Sequence, residues 1–151
     1  MLDLETLGNK PGCVILSIGA VFFDPATGLL GDELYGVLST QSCKDAGLKT
    51  DQDTLNWWNK QSDEARKVIT DAESESAAPL IDGLQAFTKW VKETRTADAF
   101  VWGNGSDFDQ PILTAAYTAI GMNPPWRFWN SRCHRTLVNL FPQVPKPDRV
   151  G

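Results

Sequence analysis

Apolar positions fall into two kinds of pattern along the chain. Near the amino terminus they come as runs: Met1 to Thr6 is apolar with two acids set into it, and Val14 to Phe23 carries Ile15, Ile18, Val21 and Phe22. The second run is bounded by Pro11-Gly12 and Asp24-Pro25, and its β-branched content between turn residues predicts a strand rather than a helix. Asp24-Pro25-Ala26-Thr27-Gly28 reads as a hairpin turn into a third strand from about Leu29 to Leu38. Helical spacing takes over afterwards. Asp53 is placed to cap a short helix carrying Leu55, Trp57 and Trp58, and Ser62 another with Asp63 and Glu64 in its first turn. Asp71 to Ala78, acidic and small, reads as a loop. Pro79 opens a helix in which Leu80, Leu84, Phe87 and Val91 repeat at helical spacing.

Ala99 to Trp102 is a short strand closed by Gly103-Asn104-Gly105. A helix from about Phe108 to Ile120 follows, with Ile112, Ala116 and Ala119 on one face and a stop at Gly121 before Pro124-Pro125. Arg127 to Cys133 is a candidate last strand and Thr136 to Phe141 a last turn of helix. Three strands, then helices, then strand and helix again, predict an α/β fold with a mixed sheet and helices packed against it.

The 151 residues are the length of a single domain, since domains run roughly 100–200 residues. No apolar run approaches the ~20 residues that span a bilayer, and no basic-then-apolar leader opens the chain, so a soluble, cytoplasmic protein without membrane partners is expected. Cys13, Cys43 and Cys133 form neither a metal-type pair nor a disulfide framework. Nineteen acids against fourteen Lys and Arg give a net charge of −5, which argues against broad electrostatic binding of nucleic acid but not against an enzyme gripping one strand end through metal ions.

Asp3 and Glu5 stand two apart on the first strand, so both carboxylates project from one face. Two such acids suit a hard divalent cation with oxygen ligands, and the plain alternative is a solvated strand end. Asp107 and Asp109 lie where a strand gives way to a helix, the place where α/β sheets put their sites. Asp107 is placed to cap that helix, and Asp109 falls in its first turn.

Met1-Leu2-Asp3-Leu4-Glu5-Thr6-Leu7-Gly8 with Ser17-Ile18-Gly19-Ala20-Val21-Phe22-Phe23-Asp24 resembles the first motif of the DEDD superfamily of 3′–5′ exonucleases. Asn104 followed by Phe108-Asp109, with Leu113 four residues on, resembles the second. Thr54-Leu55-Asn56-Trp57-Trp58 and Ser62-Asp63-Glu64-Ala65-Arg66 resemble more narrowly the small bacterial and phage branch that includes exonuclease VIII-like proteins and a mycobacterial-type exoribonuclease. The resemblance implies an RNase H-like, mixed five-stranded sheet, three antiparallel strands first, flanked by helices. It implies that Asp3, Glu5 and Asp109 are the catalytic metal-binding acids and hold two Mg²⁺ or Mn²⁺ ions. Such a pair activates water and stabilises the leaving oxygen of an in-line displacement. Single-stranded 3′ ends would be the partner and nucleoside monophosphates the product. By the same match the backbone around Thr6, Leu7 and Gly8 meets the terminal nucleotide, Leu7 packs on its base, and Asn104 joins the substrate contacts.

The family's third motif, a general-base His with an Asp five residues later, has no counterpart here. His134 is the only histidine and Asn139 stands five residues after it, so a surface or strand-end position is expected for His134. The resemblance places the missing helix just past Gly151, so residues 1–151 read as one exonuclease-like domain lacking it. Either a further segment supplies the base and fourth ligand, or the chain is a nucleotide or strand-end binding module without turnover. A third alternative is an oligomer-forming fold whose acids are surface charges. Trp126 and Trp129 beside Arg127 are candidates for stacking bases, with core packing the plainer role for most of the six tryptophans. Nothing in the residues separates DNA from RNA.

Overall fold

The computed structural model describes residues 1–94 and 98–148. Strands β1 (Leu2–Thr6), β2 (Ile15–Phe23) and β3 (Leu30–Val37) form an antiparallel sheet in that order, with Leu4 opposite Ile18 and Gly19 opposite Tyr35. Helices α1 (Thr40–Asp45), α2 (Gln52–Asn59), α3 (Asp63–Glu73) and α4 (Leu80–Thr94) follow. Then come β4 (Val101–Gly103), α5 (Asp109–Ala119), a 3₁₀ turn at Phe128–Asn130, β5 (Ser131–Cys133) and α6 (His134–Leu140). No helix among the described residues is long and apolar enough to cross a membrane.

The apolar run of β2 is explained by its burial. Val14 to Ile18 are all buried in succession, so both faces of the strand are covered at this end. Helices α1 and α3 pack on β2, α4 on β3 and α5 on β1. Leu80, Leu84, Phe87 and Val91 of α4 are all buried, as their spacing predicts. Tyr117 of α5 is fully buried, and its hydroxyl meets Thr88 Oγ1 at 2.7 Å and donates to the Leu84 carbonyl at 3.1 Å, tying α5 to α4.

Several sequence expectations are corrected. Among the described residues five strands are present, but as sheets of three and two rather than one sheet of five, with β4 paired in parallel to β5. Although β4 lies beside β1, each of β4 and β5 is three residues long, and the Leu4 amide is occupied by a side chain, the Asp109 carboxylate. The Gln110 amide bridges the small sheet instead, donating to the carbonyls of Val101 (3.1 Å) and Arg132 (2.9 Å).

Helix α1, capped by Ser39, has no counterpart in the sequence pattern, and α3 continues to Glu73 although Asp71 to Ala78 reads as a loop. Asp51 rather than Asp53 is the N-cap residue of α2. Ser62 caps α3 as expected, accepting from the Ala65 amide at 3.1 Å. Asp107 does not cap α5, whose N-cap position is Phe108, and Ala119 is exposed. The helix closes at Gly121, whose φ of +71° is the left-handed conformation that glycine adopts freely. The last strand and helix are also shifted, because a 3₁₀ turn takes residues 128–130 and α6 starts at His134.

Candidate active site

Alternation on β1 buries Leu2, Leu4 and Thr6 and leaves Asp3 and Glu5 exposed on one face. The third acid arrives from far along the chain. Asp109 opens α5 and is only 3% exposed, with its Oδ1 accepting a hydrogen bond from the Leu4 amide at 3.0 Å, between the other two acids. Gly103 makes this approach feasible, because a Cβ there would collide with the Gln110 side chain and crowd Asp109 Oδ2 to 3.2 Å.

The three carboxylates feel one another. Partial burial raises the Asp3 carboxyl above its ordinary range. Burial raises Glu5 as well, with repulsion from Asp3 and Asp109 adding to it. Asp109 is raised by burial and by Asp3, against the opposing pull of backbone amides at Leu4 and Asn104. Among the described residues no three Asp, Glu, His or Cys side chains close into a ready-made metal cage, so this is an open cluster. Its chemistry fits a hard divalent cation: the donors are carboxylate oxygens, and a positive charge would relieve the repulsion that lifts them.

A pocket of about 480 Å³ opens over the cluster, lined by Asp3, Glu5, Thr6, Gly8, Trp57 and Phe108 among others. Thr6 Oγ1 donates to the Gly8 carbonyl at 2.6 Å, which fixes the turn after β1. Any side chain at Gly8 would run into Cys13, so packing alone demands glycine there. Leu7 departs from its expected role: at 4% exposure it belongs to the core, and its side chain does not line the pocket. Asn104 is exposed and lines a separate cavity of about 850 Å³ with His134 and Arg135; its contribution to the carboxylates is a backbone hydrogen bond to Asp109. His134 is exposed at the start of α6, outside the carboxylate pocket.

Sequence reasoning passed over Trp57 and Phe108. Trp58 is buried and its indole donates to the Thr6 carbonyl at 2.8 Å, locking α2 to the end of β1. Trp57 stands edge-on to it, ring centroids 5.0 Å apart, and is 53% exposed on the pocket wall. The paired tryptophans were the available signal, but helical spacing alone does not tell which of two neighbours faces out. Asp51 and Asp53 also border the pocket, adding negative charge to its rim.

Two comparisons bear on this site. The family model described as the 3′-5′ exoribonuclease Rv2179c-like domain matches residues 1–149. The chain is also similar to the exodeoxyribonuclease of Enterobacteria phage T4, 30% identical over 164 residues that cover 93% of this chain and 70% of the phage protein. With the match running through both segments that supply the carboxylates, the chain belongs to the 3′-5′ exoribonuclease Rv2179c-like family.

Proposed function

We propose that the protein is a metal-dependent 3′–5′ exonuclease of the DEDD, RNase H-like type, releasing nucleoside monophosphates from the ends of single-stranded DNA or RNA. The observation that carries this is the hydrogen bond from the Leu4 amide to Asp109 Oδ1, which sets a third, buried carboxylate against Asp3 and Glu5 where those two line the pocket. These residues would hold two Mg²⁺ or Mn²⁺ ions, which when bound supply Lewis-acid activation of water and stabilisation of the leaving 3′ oxygen. The protein's own part is orientation. The Leu4 amide aims Asp109 at the two acids of β1, and the β1–β2 ladder holds Asp3 and Glu5 in register. Trp57, braced by Trp58, offers its exposed ring to a terminal base across from Phe108.

The test is Asp109→Asn, which keeps an oxygen acceptor for the Leu4 amide and removes the charge. Mg²⁺-dependent shortening of a 5′-labelled single strand should fall to background while circular dichroism stays that of the wild type. Undiminished digestion by that variant would sink the assignment. A second reading, a nucleotide or strand-end binding module, is favoured by the position of His134 outside the carboxylate pocket. It predicts saturable binding of a nucleoside monophosphate with Mn²⁺ present and no product from the wild type on prolonged incubation.

A further inference from the structure

The surface ahead of β5 carries an arrangement that the carboxylate pocket does not use. Phe100, Phe128 and Trp129 are 51%, 83% and 59% exposed, and each of two arginines lies over one of the rings. Arg127 Cζ is 5.6 Å from the Trp129 ring centre and Arg132 Cζ is 4.4 Å from that of Phe100. Phe128 meets Trp129 edge-on at 4.9 Å, and Arg132 Nη1 donates to the carbonyls of Trp129 (3.1 Å) and Ser131 (3.0 Å). The five side chains thus form one linked patch of open rings and guanidinium planes.

Exposed aromatics in this number need a reason, since a soluble surface gains nothing by leaving large rings in water. Ordinary packing does not supply it, because Phe128 and Trp129 touch each other and solvent rather than the core. The composition of the patch is specific. Flat rings stack on any base, guanidinium groups stack on bases and pair with phosphates, and the two together make a surface for single strands. On a molecule of net charge −5, this pairing of two arginines with three rings is where a polyanion meets complementary charge. Arg127 faces one acid, Asp98, at 3.8 Å and largely exposed to water on both sides, a pair easily exchanged for a phosphate.

Its place relative to the carboxylates matters. Phe100 directly precedes β4, and the carboxyl end of β4 leads through Asn104 to Asp109. Four residues of extended chain span on the order of 10 Å. A cleft of about 470 Å³ leads from Phe128 and Arg132 along α5 to Ser106, three residues before Asp109 in the chain. Stacked nucleotides advance about 3.4 Å each, so a strand with its end at the carboxylates needs several nucleotides to reach the patch.

We infer that Phe100, Arg127, Phe128, Trp129 and Arg132 form a second binding surface for internal nucleotides of the single strand whose 3′ end occupies the carboxylate pocket. The inference deepens the exonuclease reading and rests on it only for the position of that end. The patch grips by stacking and by phosphate contact, and it favours strands longer than a dinucleotide.

The experiment uses a 5′-fluorescein oligothymidylate of about twelve nucleotides and a labelled dinucleotide, with binding followed by anisotropy in Ca²⁺, a hard divalent cation that keeps the carboxylates neutralised, and the oligonucleotide checked for intact length afterwards. The wild type should bind the longer strand more tightly, and Phe128→Ala/Trp129→Ala should weaken that binding roughly 10-fold or more while leaving the dinucleotide unchanged. Trp129→Phe, which keeps a ring, should retain most of the affinity. In Mg²⁺, the double variant should show a raised KM on the longer strand and unchanged hydrolysis of the dinucleotide. Equal affinity of wild type and double variant for the longer strand would overturn the inference, and so would a loss of sedimentation-measured self-association in the double variant without change in strand binding. If patch-dependent binding holds and the wild type hydrolyses nothing, the exonuclease reading fails and the binding surface stands.

Discussion

Asp3, Glu5 and Asp109 are each held at the expense of their own ionisation, and the sign of the consequence follows from linkage. A carboxyl whose folded pKa is raised binds its proton more readily in the native than in the unfolded chain. The ionised group therefore costs stability above the raised value, and that cost disappears as pH falls through it toward the ordinary carboxylate range. The metal-free protein should lose less stability on mild acidification than Asp3→Asn does, and at neutral pH Asp3→Asn should melt at a higher temperature than the wild type. Melting curves across this range check both; a lower neutral-pH melting temperature for Asp3→Asn would contradict the cluster. The positions of Asp3 and Glu5 on one face were legible because a strand alternates strictly. Leu7 shows the complementary case: a resemblance carries residue identity across, but the turn after β1 decides where the side chain goes, and here it goes into the core.

Elements with long, regular periods were the legible ones. The spacing of Leu80, Leu84, Phe87 and Val91 defines the buried face of α4, and all four sit where it puts them. The short strands β4 and β5 were legible as elements but not in their limits, because three residues carry no period and tertiary partners such as Gln110 set their ends; α1, which rests on the Ser39 cap, left no periodic signal. Gly83 shows packing overruling propensity within α4. In an open helix, Gly→Ala gains up to about 1 kcal/mol. Here the new methyl would drive into Leu38, which is 2% exposed and has no solvent to yield into. Gly83→Ala should therefore destabilise the protein by about 1–3 kcal/mol, the usual cost of overpacking, as read by urea denaturation. A stabilised variant would mean that α4 and Leu38 separate more easily than their packing implies.

At the scale of the whole molecule, an acidic protein lines one pocket with Asp3, Glu5, Asp51 and Asp53 and sets Asp109 against the first two through the Leu4 amide. The fold class was legible from the order of patterns, since strands first and helices after dictate layers. The division into two sheets was not, because strands of three residues and a side chain 105 positions away on the Leu4 amide leave no pattern in the sequence. The proposed ions would act on this whole arrangement: a cation bound only by the folded state stabilises it by about 2.7 kcal/mol at a hundredfold excess over its Kd. Mg²⁺ or Mn²⁺ should thus raise the wild-type melting temperature saturably and leave Asp109→Asn nearly unmoved, whereas equal responses would place the ions elsewhere. The contact between Leu4 and Asp109 joins residues 105 positions apart in the chain. A ribosome making this protein releases Asp3 and Glu5 early and Asp109 only after β1 to β4 have been translated. The three acids therefore cannot come together until α5 has been made, so the site awaits α5 however early β1 folds.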